Sequence, residues 1–257
     1  VVEGIDIVEF NLTYQNSDNL PVRAMKFAQF ALRSIRFALS RRFDLTIATT
    51  TPLTVVIPAV AARLVRGVPF VFECRDLWPE IPKAMGVKSP LALLPMQLLE
   101  WLGCKFSRSQ IALAPGIAEG MEKAGSSAGS ITLIPNGCDH ELFDNAESIR
   151  PAEFFPGKLK SEDFVAVFAG AHGRANGLDA VLDAAAVLRD RKIANIKILL
   201  IGDGSEKARL MRRADEEHLD SVIFESPIPK TRLASLLKGS DCGLQSLANL
   251  EAFYNGT

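Results

Sequence analysis

Short apolar segments alternate with longer amphipathic segments along the whole chain. Several short segments are continuous runs of Val, Ile, Leu and Phe, which is typical of parallel strands buried on both faces. Strands that alternate with helices predict an α/β fold with parallel sheets. The predicted strands are Ile5–Glu9, Asp44–Thr49, Pro69–Glu73, Gln110–Ala114, Ser130–Ile134, Phe164–Ala169, Ile196–Ile201, Val222–Glu225 and Cys242–Gln245, and the predicted helices include Val22–Arg42, Leu91–Phe106, Leu178–Arg189 and Glu206–Glu217.

The alternation is interrupted once, between Ala146 and Asp163. This segment contains two prolines, a glycine and many charges, so it predicts a linker. We therefore expect two doubly wound domains, residues 1–150 and residues 151–257. In such sheets ligands bind at the carboxyl ends of the strands, and two such domains are expected to face each other across a cleft.

Composition and charge narrow the classes of function. The chain has 257 residues, of which 48% are hydrophobic and 23% charged, and its net charge is -1. These values indicate a globular protein and lend no support to a nucleic-acid partner. The four cysteines form no CxxC pair, which favours a reducing compartment and argues against a disulfide framework or a zinc site. The most apolar run, Pro52–Val65, is too short to span a bilayer.

Charged and aromatic residues crowd behind the predicted strand Pro69–Glu73. Arg75, Asp76, Trp78 and Glu80 stand where ligands bind in doubly wound sheets. A solvated loop with a structural Arg–Asp pair is the alternative, and sequence position does not separate the two.

The first strand of the second domain runs into a turn with three glycines. Close backbone approach and free N–H groups at such a turn suit an anion, most simply a phosphate. Arg174 adds a fork of charge-assisted hydrogen bonds. The spacing matches neither GxGxxG nor the Walker pattern, so a tight turn without a ligand remains an alternative. The candidate residues here are Gly170, His172, Gly173, Arg174 and Asn176.

Two further loops follow strands of the second domain. One contains Gly202, Asp203 and Gly204, and Ser205 is the predicted N-cap of the next helix. The other loop is stiffened by two prolines. It could form a wall against the flat base of a nucleotide, or it could be only a rigid connection. Its candidate residues are Ser226, Pro227 and Ile228. In the first domain, Asp139 is predicted to cap a short helix at His140–Asp144.

Several segments, taken in order, resemble the family 4 retaining glycosyltransferases. The resemblance covers nearly the whole chain and implies the GT-B fold of two Rossmann-like domains facing a cleft. The form RDLWPE is similar to the branch that builds bacterial surface polysaccharides with amino- and deoxy-sugars. The segments are RDLWPE (Arg75–Glu80), APGIAEGM (Ala114–Met121), IPNGCDHELF (Ile134–Phe143), AGAHGRANGLDAVLDAA (Ala169–Ala185), LLIGDGSEKARL (Leu199–Leu210) and SPIPKTRLASLLKGSDCGL (Ser226–Leu244).

The chain departs from the family pattern in two respects. Many members carry an Arg and a Lys in the glycine turn to hold the leaving diphosphate, and these positions fall at Ala171 and Asn176 here. Arg174 or another cation is expected to substitute. The family's first strand, its glycine-rich loop and its acidic E-x7-E motif are not found in the 257 residues. The resemblance therefore implies a longer enzyme, of which this chain is a part.

The resemblance implies transfer of a sugar from a nucleoside diphosphate sugar, such as a UDP-sugar, to a hydroxyl of a glycan or polyprenyl-linked acceptor. Arg75, Asp76 and Arg174 are the expected catalytic residues, with the acceptor on the side of the first domain. The other candidates above are expected to bind substrate, and no cofactor or metal is expected.

A basic amphipathic helix near the start of the chain suggests contact with a membrane. Pro21–Arg42 carries six basic residues among phenylalanines, a pattern that suits anionic lipid. The alternative is a helix that faces the core and has a solvated basic rim. The expected location is the cytoplasm, with peripheral contact at the inner membrane face.

Other functions remain open at this point. A UDP-sugar 2-epimerase shares the GT-B shape, and a catalytically silent nucleotide-sugar-binding module is possible on the same fold. A dehydrogenase is disfavoured, because neither domain combines GxGxxG with an acidic residue about twenty positions further on.

Overall fold

A computed structural model describes residues 4–13, 20–84 and 86–250 of the chain. These residues form two compact units. The first unit comprises the described residues up to Asn136 together with Leu250, and the second spans Gly137–Asn249. The predicted linker segment, Ala146–Asp163, lies within the second unit and contains a short helix.

The first unit is built on one parallel sheet whose strands follow one another in chain order. The strands are β1 (Thr46–Thr49), β2 (Phe70–Cys74), β3 (Ser109–Ala112) and β4 (Ile131–Leu133), and the helices are α1 (Leu20–Ser40), α2 (Val56–Arg66), α3 (Glu80–Ala84), α4 (Pro90–Phe106) and α5 (Pro115–Lys123). Phe70, Phe72 and Cys74 of β2 have no exposed surface and form the centre of the core. Gly103 lets α4 approach this core, because a Cβ there would lie 3.0 Å from the ring of Phe72.

The second unit is also built on a parallel four-stranded sheet, but its strand order reverses direction. The order is β7-β6-β5-β8, with β5 (Phe164–Ala169), β6 (Ile196–Ile201), β7 (Val222–Glu225) and β8 (Cys242–Gly243). The helices are α6 (His140–Asp144), α7 (Pro151–Phe154), α8 (Asp179–Asp190), α9 (Lys207–Glu216) and α10 (Lys230–Gly239). The strand order reverses between β5 and β8, so the switch point where such sheets bind ligands lies at the carboxyl end of β5. The carboxyl end of β6 lies beside it, because β6 pairs with β5.

Both faces of this second sheet are covered. Phe168 and Leu200 pack against α8 and α9 on one face, while Val167 and Leu199 pack against Leu236 of α10 on the other. Burial on both faces explains why β5 and β6 are continuous apolar runs without alternation.

The segment before β5 is fastened to the second unit by charged groups. Arg150 donates hydrogen bonds to Asp241 at 2.9 Å and to the carbonyl oxygens of Gly239 and Asp163 at 3.1 Å. Asp241 also accepts from the N–H of Val165 at 2.8 Å. Hydrogen bonding to Arg150 lowers the pKa of the Asp241 carboxyl. These contacts hold the predicted linker segment against the edge of the sheet.

Most predicted strands and helices are present, with shifts of one or two residues at their ends. The predicted strand Ile5–Glu9 is wrong: these residues do not form a strand, and Ile5, Ile7 and Val8 are exposed. Their apolar character suggested a strand, but β1 pairs only with β2 and no described strand lies on its other side. The helix His140–Asp144 is confirmed, and Asp139 accepts from the N–H of Leu142 at 3.2 Å, as its predicted cap.

Candidate functional site

Two glycine-containing loops meet at the carboxyl ends of β5 and β6. The N–H of His172 donates to the carbonyl of Asp203 at 2.9 Å, and the carbonyl of His172 accepts from the N–H of Glu206 at 2.9 Å. A Cβ on Gly202 would lie 1.9 Å from the carbonyl oxygen of Gly170, and one on Gly204 would lie 2.5 Å from that of His172. The two loops are therefore interlocked through their backbones, and only glycine fits at these contacts.

The turn after β5 continues into a single 3-10 turn at Arg174–Asn176 before α8. The N–H groups of Gly173, Arg174 and Ala175 have no hydrogen-bond partner among the described residues. Space around Gly173 is open, because a Cβ there would have no atom within 4 Å. The turn thus presents consecutive free N–H groups on an open side, as an anion site requires.

Two contacts brace this turn from within the second unit. The side-chain amide of Asn176 donates to the carbonyl of Ala171 at 2.7 Å. Behind the turn, the N–H of Ala248 donates to the carbonyl of Ala175 at 2.8 Å, and Gly177 adopts a left-handed φ of 55° where a Cβ would lie 2.8 Å from Ala248. Asn176 therefore holds the shape of the turn rather than extending into solvent.

Arg174 is an exposed and loosely paired cation in this region. Its side chain is 70% exposed, and its Nε lies 3.8 Å from Oε1 of Glu206, which is a loose ion pair. Glu206 is already bound more tightly by Arg209, at 2.8 Å. Arg174 is consequently available to a ligand.

The first turn of α8 carries its own acidic residue. The carboxylate of Asp179 accepts hydrogen bonds from Arg209 at 2.6 Å and from Arg213 at 3.0 Å. These bonds, from Arg209 above all, lower the pKa of Asp179. The carboxylate of Asp179 therefore already interacts with the positive end of the α8 dipole. An anion bound at this site would be held mainly by hydrogen bonds from the N–H groups of the 3-10 turn.

Several polar groups of the second loop are used internally. Asp203 accepts from the N–H of Gly204 at 2.8 Å. Lys207, the first residue of α9, donates to the carbonyl oxygens of Gly202 at 2.7 Å and of Glu225 at 2.8 Å. Sequence reasoning missed Lys207; its only signal was a cation at a helix N-terminus, where the dipole disfavours one. Ser205 as N-cap is wrong, since α9 begins after Glu206, where no side chain caps the helix.

The imidazole of His172 is buried beneath the two loops. It has no exposed surface, and neither ring nitrogen has a hydrogen-bond partner among the described residues. Its ring lies between those of Phe168 and Phe224, with centroids 6.1 and 6.0 Å away. Burial first, and then the charge of Lys207, lower the pKa of His172, while Asp203 raises it. His172 thus contributes its backbone to the loop contacts and its side chain to the core.

The third loop, at the end of β7, is partly exposed. Ser226 and Pro227 are exposed, whereas Ile228 packs against the core formed by β5, β6 and α10. The structure therefore brings Gly170–Asn176 and Gly202–Gly204 into contact, and it places the third loop at the end of the strand that pairs with β6.

In the first unit, three loops converge on the residues that follow β2. The N–H of Arg75 donates to Oγ1 of Thr50 at 2.8 Å, and the Arg75 guanidinium lies 3.4 Å from Oδ1 of Asn136. The hydroxyl of Thr51 donates to the Asp76 carboxylate at 3.1 Å. Arg75 and Asp76 are therefore held apart by different partners and form no Arg–Asp pair; sequence reasoning did not identify Thr50, Thr51 or Asn136.

Trp78 and Glu80 take different positions in the same loop. The Trp78 ring packs partly against the core, and its buried Nε1 has no partner among the described residues. The N–H of Trp78 donates to the buried carboxylate of Glu100 at 2.8 Å. Burial raises the pKa of Glu100 to about 7. Glu80 is exposed and lies 3.4 Å from Lys83.

Two general properties of the described residues bear on the site. None of their helices is long and apolar enough to cross a membrane. Within residues 4–13, 20–84 and 86–250, no group of three or more His, Cys, Asp or Glu side chains is placed to hold a metal ion.

Comparison with protein families gives the class of the molecule. The family described as glycosyl transferase 4-like domain matches residues 1–137. The family described as glycosyl transferases group 1 matches residues 149–257. The chain therefore belongs to the glycosyltransferases, with a glycosyl transferase 4-like first half and a group 1 second half.

Solved structures share the fold of this chain. Anabaena HepE (Alr3699) in complex with UDP and glucose is 18% identical, with a TM-score of 0.63 over 90% of this chain. Sucrose-phosphate synthase from Thermosynechococcus elongatus is 18% identical, with a TM-score of 0.67 over 91% of this chain. The lipopolysaccharide outer core galactosyltransferase WaaB, in its apo form, is 16% identical, with a TM-score of 0.54 over 90%. With the two parallel sheets, these likenesses show the GT-B fold.

The chain spans only part of these proteins. It covers 58% of the HepE chain and 57% of the sucrose-phosphate synthase and WaaB chains. No significant match was found among curated protein sequences.

The free energy of unfolding of the wild type is expected to fall in weak acid because of His172. Replacing His172 by leucine should abolish this fall. The imidazole is protonated near pH 6.5 in the unfolded chain, but its pKa is lowered in the folded protein. Wild-type stability should therefore fall as the pH drops below about 6.5, by up to about 1.4 kcal/mol per pH unit until the folded pKa is reached. Chemical unfolding of both proteins between pH 7.5 and 5.5 measures this difference.

The exposed His140 provides the control. His140→Gln should keep the wild-type dependence on pH. Identical pH slopes for wild type and His172→Leu would contradict the assignment.

Proposed function

We propose that this chain forms the catalytic part of a retaining glycosyltransferase that uses a nucleoside diphosphate sugar as donor. The observation that carries the proposal is the run of N–H groups at Gly173, Arg174 and Ala175, which lie on the open side of the turn after β5 and have no partner among residues 4–13, 20–84 and 86–250. The choice of UDP as the nucleotide is supported by the Anabaena HepE structures, which contain UDP with glucose or UDP-glucose.

In the proposed reaction the leaving diphosphate develops negative charge as the bond to the sugar breaks. The N–H groups of the turn stabilise this charge because they are fixed before the reaction begins. The exposed Arg174 guanidinium adds a full positive charge and charge-assisted hydrogen bonds beside them. Loss of one such donor typically lowers the rate about 100- to 1000-fold. These groups supply the positive charge without a metal ion, so we propose that none is required.

In the first unit we propose that Asp76 accepts hydrogen bonds from hydroxyls of the transferred sugar, and that Arg75 assists at the phosphate. Thr50 and Thr51 hold these two residues in place. Trp78 is anchored by its N–H to Glu100 and by its ring to the core, so we assign it to the shape of the loop.

The acceptor is proposed to be a hydroxyl of a glycan or polyprenyl-linked molecule in surface polysaccharide or lipopolysaccharide synthesis. The support is the RDLWPE form of Arg75–Glu80, together with the fold shared with WaaB. Both matching families are described as transferases, which is why we propose transfer rather than epimerisation or silent binding. The four free cysteines fit a reducing, cytoplasmic location.

Replacing Arg174 by alanine is expected to weaken UDP binding about 10-fold or more, since a hydrogen bond to a charged group contributes about 1.5–3 kcal/mol. Isothermal titration of UDP into both proteins measures the change. Arg212→Ala, which removes an exposed arginine from α9, is the matched control and should bind like wild type. Unchanged affinity in Arg174→Ala would exclude the phosphate role of this residue.

Replacing Asp76 by asparagine is expected to reduce transfer about 10- to 100-fold while UDP binding is retained. The amide keeps an oxygen for the hydroxyl of Thr51 but lacks the charge that accepts strongly from sugar hydroxyls. Consumption of nucleotide sugars from a panel, followed by chromatography, measures turnover. Asp44→Asn alters an exposed aspartate of the same unit and serves as control. Normal turnover in Asp76→Asn would rule out its proposed role.

We also propose that α1 touches an anionic membrane surface. One side of α1 packs against α2 and buries Ala31, while Met25, Leu32, Arg33 and Arg36 are exposed. Exposed apolar and basic side chains on one helix suit the headgroup region of anionic lipid.

Charge reversal at Arg33 and Arg36 should lower binding to phosphatidylglycerol-containing vesicles at least about 10-fold, since each basic residue contributes about 1 kcal/mol near such a surface. Vesicle flotation at low salt measures this. Reversal of Arg191 and Arg212, which are exposed in the second unit, should have little effect. Equal flotation of both variants would show that α1 makes no such contact.

A further inference from the structure

The carboxyl group of Glu100 is a buried titratable group that no step of the proposed reaction uses. Glu100 lies within α4 and is only 5% exposed. Its Oε1 accepts a hydrogen bond from the N–H of Trp78 at 2.8 Å. Trp78 belongs to the β2–α3 loop, residues 75–79, which also carries Arg75 and Asp76. A buried carboxyl group on a helix therefore holds the backbone of the loop to which we assign catalytic residues.

Other anchors of the β2–α3 loop are uncharged groups. Threonine hydroxyls bind Arg75 and Asp76. The side chain of Leu77 packs against Gly120 of α5, where a Cβ would lie 2.4 Å from Cδ2 of Leu77. Glu100 differs from these anchors because its charge depends on pH.

The environment of Glu100 brings its protonation close to neutral pH. Burial is the largest influence and raises the pKa of Glu100 to about 7, while the hydrogen bond from Trp78 lowers it. A charged acceptor binds an N–H group more strongly than a neutral one, so the bond to Trp78 weakens when the carboxylate gains a proton. The β2–α3 loop is therefore held more firmly above pH 7 than below it.

The charged groups around Glu100 come from the two neighbouring helices. After burial and the hydrogen bond, Glu80 of α3 raises the pKa of Glu100 and Lys83 of α3 lowers it. Glu119 and Lys123 of α5 line the same cavity as Glu100. Each helix thus presents one carboxylate and one ammonium group, and their opposing charges leave burial as the main influence on Glu100.

Thiols and histidines do not account for a charge change near pH 7 in this unit. Burial raises the pKa of the Cys74 thiol, and it raises that of Cys104 to about 11, so both thiols are neutral near pH 7. The three histidines of the chain all lie in the second unit; they are His140, His172 and His218.

We propose that Glu100 is a positioning residue for the β2–α3 loop: its ionised carboxylate holds Arg75 and Asp76 where they act, and protonation loosens this hold. The inference deepens the proposed function and rests on it for the roles of Arg75 and Asp76. The hydrogen bond to Trp78 does not depend on these roles, so its response to pH is measurable without turnover.

Tryptophan fluorescence gives a direct measurement of the loop. The chain has two tryptophans, so Trp101→Phe leaves Trp78 as the only one. In this background the emission of Trp78 should change with a midpoint near pH 7. Adding Glu100→Gln should abolish the change, because the carboxamide keeps an acceptor oxygen but does not titrate. Glu122→Gln makes the same substitution at an exposed position of α5 outside the cavity and should leave the midpoint in place.

A second variant tests the same titration without altering Glu100. Lys83 is exposed and lowers the pKa of Glu100, so Lys83→Gln should raise the midpoint of the Trp78 emission change. This substitution keeps the inference testable if Glu100→Gln does not fold. A midpoint that does not move in Lys83→Gln would assign the titration to another group.

Turnover of nucleotide sugars gives the functional measurement. Wild-type kcat should rise in a step as the pH passes 7, because the ionised carboxylate holds the loop more firmly. Glu100→Gln should lack this step, and at pH 8 its kcat should be about 5- to 10-fold below that of wild type, the factor by which a bond to a charged acceptor exceeds one to a neutral acceptor. UDP binding, measured on the same samples, should be retained.

The outcomes separate this inference from the proposed function. A Trp78 emission that is flat between about pH 6 and 8, or that still titrates in Glu100→Gln, would overturn the inference. Transfer with the same dependence on pH in wild type and Glu100→Gln would contradict the inference alone. A titration that requires Glu100, in a protein that consumes no nucleotide sugar, would support the pH-dependent hold and contradict the proposed function.

Discussion

The backbone contact between the loops after β5 and β6 is the constraint on which the loop structure of the second unit depends. His172 binds Asp203 and Glu206 through its N–H and carbonyl, and no side chain fits at Gly202 or Gly204. Both loops are fixed by main-chain groups, and the adjoining 3-10 turn leaves three N–H groups on its open side that have no partner in the described part of the chain. Preorganised donors of this kind lose little free energy to reorganisation when negative charge develops beside them.

The same region shows how positive charge is divided. Lys207 is committed to two carbonyl oxygens, and Arg209 and Arg213 are committed to Asp179. Arg174 is left with only a loose partner and a largely exposed side chain. Cations that have several close acceptors stabilise the fold, whereas a cation with only one distant acceptor can bind a ligand. This separation is the reason that Arg174, among the cations of this region, is the one proposed to contact the diphosphate.

The loop after β2 follows a similar principle with different groups. Threonine hydroxyls hold Arg75 and Asp76, and a buried carboxylate, Glu100, holds the N–H of Trp78. Because Arg75 and Asp76 each bind a different threonine hydroxyl, they do not pair with each other.

The sequence by itself determined the fold class and much of the element order. The runs Phe164–Ala169, Ile196–Ile201 and Val222–Glu225 are strands with the predicted bounds. The two central strands, β5 and β6, are continuous apolar runs because both faces of the sheet are covered there. The glycine loops Gly170–Asn176 and Gly202–Gly204 could also be located from the sequence, because each directly follows a predicted strand. Only the tertiary structure decided that Ile5–Glu9 lacks a neighbouring strand, that α9 starts without a Ser205 cap, that His172 is buried and that Thr50 and Glu100 hold distant loops. These outcomes depend on partners far away in the chain, and local pattern carries no information about such partners.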